Sequence, residues 1–327
     1  MRKKILAILF ILCLPLVLFG CNTKVNDVAL GTFIDVKLEG GKYLIASKKI
    51  QKYIKNFEDN FSAHANTGYL ANINNAKANE PINVDEVFVE LFKKSVEINK
   101  ETLGAFNVAI YPLVELWQFD ENFSYLDKDK PKIEDIARIK DYCKLENFVL
   151  DEKNLTITKL IDEAKLDFGG IAKGFIADKC NEIALKNNVK KGIINIGGNI
   201  QLIGENYSVG ITHPRVDTNN IYGIAKLSNT SVVTSGDYER YYYSIDKTER
   251  YHHIIDTKTG APSASNVIAV TVIGDDSLYC DAYATAIMVN GSAWGEQFIK
   301  NKGLRAVIIK NDLSYIKVGD FDFERKE

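Results

Sequence analysis

Apolar positions along this chain fall into two periods, one helical and one of short strands. From Ser47 to Phe61 the apolar residues Ile50, Tyr53, Ile54, Phe57 and Phe61 recur at helical spacing. Val84 to Leu103 repeats the pattern with Val87, Leu91, Val96 and Ile98, and Gly104 supplies its stop. Ile133 to Cys143 reads as a short helix, Ile171 to Asn187 as a longer one, and Cys280 to Asn290 as a helix opened by a cluster of acids. Strands are predicted over Val28–Leu38, Phe148–Leu150, Leu155–Lys159, Gly192–Ile196, Ile200–Gly204 and Val267–Ile273, the last rich in β-branched residues. Ala306–Lys310 and Ser314–Val318 form a hairpin about Asn311-Asp312. Glu121 to Lys132 is polar, is punctuated by Pro131, and reads as a surface loop. No repeat or low-complexity linker divides the chain. Helices and strands alternate irregularly, which predicts an α+β fold, a single domain of mixed sheets with packed helices, rather than a doubly wound parallel sheet.

The N-terminus departs from both periods. Arg2, Lys3 and Lys4 precede an unbroken apolar stretch from Ile5 to Phe19, and Leu18-Phe19-Gly20-Cys21 follows the small-residue-then-cysteine pattern of a lipidation site. The apolar run is about 15 residues, short of the roughly 20 a membrane span needs. Residues 1–20 therefore read as a lipoprotein signal peptide and Cys21 as the lipidated residue. Residues 21–27 read as a polar tether and 28–325 as the domain. A plain membrane anchor is the alternative. The lipoprotein reading places the domain outside the cytoplasm, anchored to the membrane.

Composition narrows the classes. The 327 residues are 46% hydrophobic and 26% charged, with a formal charge of −2; the basic footprint of a nucleic-acid binder is missing. Cys143, Cys180 and Cys280 lie far apart and are odd in number, so they read as buried free thiols, with one disulfide as the alternative. His64, His213, His252 and His253 lack the spacing of a zinc site.

The candidate chemistry sits in segments rich in glycine and acids. Asp167-Phe-Gly-Gly-Ile-Ala-Lys-Gly174 ends a strand-like stretch and opens a helix. Its glycines allow close approach of backbone, and Lys173 with the helix N-terminus would favour phosphate. A simple turn is the plain alternative, and neither GxxxxGK[ST] nor GxGxxG is present. Gly197-Gly198 reads as a hairpin turn that could also approach a ligand. Asp281 and Thr285, four residues apart, put two oxygens on one helix face, a pattern suited to Mg²⁺ that borrows further oxygens from a phosphate substrate. Ordinary helix-start acids are the alternative. His253 beside such a site is a candidate base for a hydroxyl, with a packed histidine as the alternative.

Taken together these segments resemble the ApbE family of FAD:protein FMN transferases, over about Ala29 to Val318. The markers stand in the family's order: Leu30-Gly-Thr32, Ser62 to Asn74, Gly104-Ala-Phe-Asn107 with Pro112-Leu-Val-Glu-Leu-Trp117, Asp167 to Gly174, Gly197-Gly198, Ser235-Gly-Asp237, His253 to Gly260, and Asp281 to Thr285. The resemblance implies Mg²⁺-dependent transfer of FMN from FAD to a Ser or Thr of an extracytoplasmic acceptor flavoprotein, with release of AMP. It implies metal ligation by Asp281, Thr285 and the carbonyl of Gly170. It implies flavin-nucleotide contacts by Leu30, Ala105, Phe106, Asn107, Asp167, Lys173 and backbone near Ile255. His253 is assigned as the base. Two departures stand out. His64 occupies a position where the family commonly has Tyr, and Thr67-Gly68-Tyr69-Leu70 replaces its Asp-Ser-Glu-Ile. His64 or Tyr69 would then supply the aromatic surface for the flavin. With water as acceptor the same site would be an FAD pyrophosphatase; a flavin-binding lipoprotein without turnover is the third reading.

Overall fold

The computed structural model describes residues 23–29, 31–62, 67–120, 123–216 and 220–326. Cys21, Leu30 and His64 lie outside the described residues. The frame is an eight-stranded antiparallel sheet whose strand order follows the chain order. Its strands are β1 (Thr23–Ala29), β2 (Thr32–Glu39), β3 (Lys191–Ile196), β4 (Asn199–Ile203), β5 (Ser231–Gly236), β6 (Val267–Gly274), β7 (Arg305–Lys310) and β8 (Tyr315–Val318). Every other element is an insertion between neighbouring strands or follows the last of them. The strand expected over Val28–Leu38 is in fact a hairpin, with Ala29 opposite Thr32 and Gly31 at φ +67° in the turn. The stretch from Thr23, expected as a tether, pairs with β2 as the edge strand.

One face of the sheet carries helices. α1 (Tyr43–Phe61) and α2 (Glu86–Glu101) fall in the long insertion after β2, together with α3 (Ala172–Lys186); α4 (Ser277–Asn290) and α5 (Ser292–Lys302) join β6 to β7. The buried stripe of α2 is Phe88, Leu91, Phe92, Ser95 and Ile98. Val87 and Val96, expected on that stripe, lie at its margins. The other face is covered by a small sheet of Tyr207–Thr212, Ile221–Leu227 and Asp322–Arg325, which the sequence reading did not predict. Alternation along β7 shows the division: Ala306 and Ile308 pack with the helices, Val307 and Ile309 with the small sheet. β6 is buried on both faces along its whole length, which explains its continuous apolar run.

Two helix starts place the glycine- and acid-rich segments. α4 begins at Ser277, a turn before the expected Cys280, because Asp276 caps it through the Tyr279 N–H. Asp178 of α3 also accepts the N–H groups of Ser277 and Leu278, each at 2.8 Å. Burial, then the neighbouring Asp276, pushes the Asp178 carboxyl well up. α3 itself starts after a coil rather than after the expected strand. Phe168 in that coil is buried against Phe61 and Phe88, with ring centroids at 6.2 and 5.7 Å. Deleting such a ring costs about 3–5 kcal/mol, so the Asp167–Gly170 segment is held from below. Cys143, Cys180 and Cys280 are buried and free.

Candidate active site

The site grows from the contact of α3 with α4. Gly174 is there because nothing larger fits: a Cβ would lie 2.3 Å from the Ser277 carbonyl oxygen. That proximity brings Asp281 to the first turn of α3, where its Oδ2 accepts the Gly174 N–H at 3.0 Å. Asp281 is 2% exposed and sits in the second turn of α4, not at its start. Its carboxylate therefore occupies the anion position at the N-terminus of α3. The N–H groups expected to cradle phosphate are partly taken: Gly174 serves Asp281, and Ala172 bonds the Phe168 carbonyl at 2.8 Å. Lys173 supplies the positive charge instead. Its ammonium lies 4.0 Å from Asp281 Oδ1 and donates to the Gly169 carbonyl at 3.3 Å.

Asp167 and Gly170 complete this end. Asp167 Oδ1 accepts the Gly169 N–H at 2.7 Å, which fixes the turn. A Cβ on Gly170 would lie 3.3 Å from a Phe106 ring carbon and 3.4 Å from Thr285 Oγ1. Asp281, Thr285 and the Gly170 backbone thus share one small space. Carboxylate, hydroxyl and carbonyl oxygens are the donor set Mg²⁺ takes, and the space at Gly170 is one a side chain would fill, so these residues fit the ion. Among the described residues no three acidic, His or Cys side chains form a metal cage. The remaining ligands would come from phosphate and water.

The opposite wall is the segment after β5. Asp237 is 5% exposed and is gripped by two arginines. Arg215 donates to its two oxygens at 2.7 and 2.8 Å, and Arg250 donates to Oδ2 at 2.9 Å and to its carbonyl at 2.8 Å. This anchor fixes Glu239 and Arg240. The Arg240 carbonyl accepts from His253 twice, from the backbone N–H at 3.1 Å and from Nδ1 at 3.2 Å. A carbonyl only accepts, so Nδ1 carries the proton and Nε2 keeps a free lone pair. Burial, then His252 and Arg240, holds the His253 pKa down to about 3, so the ring is neutral. Lys173 also acts on His253 and on Glu239. Desolvation pushes the Glu239 carboxyl up, with Lys173 opposing the rise and Asp281 adding to it. Lys173 is thus placed 4.0 Å from Asp281 and acts electrostatically on both Glu239 and His253.

The remaining expected residues divide. Ala105 and Phe106 are buried; the Phe106 N–H and carbonyl are held by Thr102 and Asn99 at 3.2 and 2.7 Å. The Asn107 side chain is engaged at both ends, with the Cys143 carbonyl and the Ala109 N–H, each at 2.9 Å. Thr257 ties this loop to the Ile255 segment through the Gly104 carbonyl at 3.2 Å. Tyr69 stands apart. Burial and the Asp85 carboxylate raise its hydroxyl pKa, and Asp85 caps the start of α2, whereas Phe106 follows its end. Gly197-Gly198 forms the β3–β4 turn at φ +58° and +92°, with Gly197 against Thr32. Arg215, Glu239 and Arg240 are site residues that the motifs do not assign; a buried acid in Ser235-Gly-Asp237 followed by an arginine was the available signal.

The model of the ApbE family matches residues 30–308. The chain belongs to the ApbE family. A Klebsiella pneumoniae FAD:protein FMN transferase is 32% identical over 262 residues, covering 80% of each chain. Among solved structures, the ApbE protein of Thermotoga maritima superposes with a TM-score of 0.82 at 29% identity, covering 91% of this chain and 97% of that one. The flavin transferase ApbE of Vibrio cholerae gives 0.80 at 25%, covering 91% and 96%. The family fold accounts for the sheet and the helix pair.

Proposed function

We propose that this chain is an FAD:protein FMN transferase that moves FMN from FAD to a Ser or Thr hydroxyl of an acceptor flavoprotein and releases AMP. The observation that carries the reading is the α3–α4 junction, where the Lys173 ammonium lies 4.0 Å from Asp281 Oδ1 and the Gly170 backbone faces Thr285 Oγ1. A pyrophosphate laid there would meet fixed positive charge and metal-binding oxygens, with His253 as the base for the acceptor hydroxyl. Asp281, Thr285 and the Gly170 carbonyl would hold Mg²⁺, which when bound neutralises phosphate charge and favours departure of AMP. His253 Nε2 takes the acceptor hydroxyl proton as the oxygen attacks the FMN phosphorus and the bridging bond to AMP breaks. Anionic phosphates beside the ring would raise its proton affinity. Lys173 adds fixed potential at the reacting group. Leu30, Ala105–Asn107, Asp167 and the Ile255 backbone would line the nucleotide, by their match to the family.

The test is incubation of the full chain with FAD, Mg²⁺ and an acceptor flavoprotein domain, read by intact mass and nucleotide chromatography. An FMN-sized mass gain with AMP supports the transferase. Free FMN and AMP with an unmodified acceptor would replace it with a pyrophosphatase, and unchanged bound FAD with a carrier. We infer further that Cys21 carries a lipid that anchors the domain outside the cytoplasm. The charged start, the short apolar run and the cysteine support this. Cys21→Ala should move the protein from the membrane to the soluble fraction; retention in the membrane would refute it.

A further inference from the structure

Beyond the nucleotide site, a ledge of aromatic and aliphatic side chains leads outward from His253. Phe119, with its ring 6.5 Å from that of His253, is followed by Phe123 at 5.8 Å and Tyr125 at a further 4.8 Å. Tyr125 reaches Tyr241, and Tyr241 reaches Tyr243, at 6.1 and 5.9 Å. The inner end is buried and the outer end is open: Tyr125 is 66% exposed, Leu126 73%, Ile245 63% and Tyr243 39%. Such side chains in one contiguous stretch are a feature a free surface rarely presents.

The ledge is preorganised. The Tyr125 hydroxyl donates to the Glu239 carbonyl at 3.1 Å, and the Lys128 N–H to the Tyr243 carbonyl at 3.0 Å. The 123–130 loop is thereby fastened to the hairpin of Tyr241–Tyr243 and Arg250–His252, so little order is lost on binding. The charges beside its open side chains include two closed pairs: Lys247 with Asp127, and Lys130 with Glu249 at 3.1 Å. Leu126 and Ile245 flank the first of these pairs. A surface with closed ion pairs and open apolar rings selects apolar polypeptide over anionic lipid headgroups.

We propose that this ledge is the docking surface for the acceptor protein, seating an extended segment with apolar flanks so that its Ser or Thr hydroxyl reaches His253 Nε2. The inference rests on the transferase reading, which requires a second protein at the mouth of the cleft. Acceptor recognition is then separate from nucleotide recognition: apolar contacts on the ledge set the acceptor KM, and the α3–α4 junction sets the chemistry.

The test compares the full chain with the Leu126→Ser, Ile245→Ser double variant, using Leu44→Ser, an exposed apolar change on α1, as control. The acceptor is the flavoprotein domain modified by the Vibrio cholerae transferase. The double variant should raise the acceptor KM about tenfold or more, with kcat at saturation, FAD affinity and acceptor-free FAD cleavage unchanged; the control should match wild type. An unchanged acceptor KM overturns the docking surface. A weakened FAD affinity overturns it too, by assigning the ledge to the nucleotide. Reduced binding to phosphatidylglycerol–phosphatidylcholine vesicles with an unchanged acceptor KM would reassign it to the membrane. If wild type labels no acceptor at all, the transferase reading falls and takes the ledge with it.

Discussion

The two walls of the cleft are built by different physics. The α3–α4 wall depends on shape: Gly174 has no room for a Cβ, and Asp281 meets its N–H only because the helices touch there. The His253 wall depends on charge: Asp237 is held by Arg215 and Arg250, and the Arg240 carbonyl orients the ring. Close packing tolerates almost no change in volume, whereas a charge network fails chiefly when a partner is lost. The metal-binding end should therefore respond to side-chain size and charge, and the base end to the loss of single hydrogen bonds.

Asp281→Asn breaks the comparison most sharply. The amide can still accept from Gly174, so the fold persists, while the hard anionic oxygen is lost. Mg²⁺-dependent turnover should fall about 10³-fold or more; activity near wild type would remove Asp281 from the reaction. His253→Ala should lower transfer by about 10²-fold, at the low end of general-base effects, with FAD binding retained. A fall in FAD affinity of the same size would make the ring a binding residue. Asp237→Asn tests the charge wall. Weakening two charge-assisted contacts should lower stability by about 1.5–3 kcal/mol, seen as a reduced urea midpoint, and should reduce kcat more than Mg²⁺ affinity. The last test is pH dependence. A histidine held at about pKa 3 when folded, against about 6.5 unfolded, binds fewer protons than the unfolded chain between those values. Its stability contribution is present above about pH 6.5 and is lost as pH falls toward about 3. His253→Gln should flatten that decline in thermal melts.

Legibility followed the range of the interaction. The helix of α1, the β3–β4 turn and the Asp281/Thr285 pair were readable because each rests on neighbours in sequence. The α4 start lies a turn earlier than its pattern suggests, because its caps are Asp276 and, from α3, Asp178. The small sheet passed unseen although Tyr207–Thr212 alternates apolar and polar residues; its strands are short, and the third, Asp322–Arg325, joins from far along the chain. The surroundings of Tyr69 were not legible: its ring meets Phe61, and its hydroxyl interacts with Asp85 at the start of α2, contacts between separate elements.

What the sequence by itself determined was local and ordered: helix and strand periods, glycines where the backbone turns, acids and hydroxyls on one helix face, and a series of motifs sufficient to name a family. What only the tertiary structure decided was who meets whom. Gly174 and Asp281 are 107 positions apart, and whether a carboxylate lies at a helix N-terminus depends on two helices packing without a Cβ between them. The free lone pair of His253 likewise depends on a carbonyl 13 residues away. Periodicity records which face a residue presents, but contact and protonation are set by what that face is packed against.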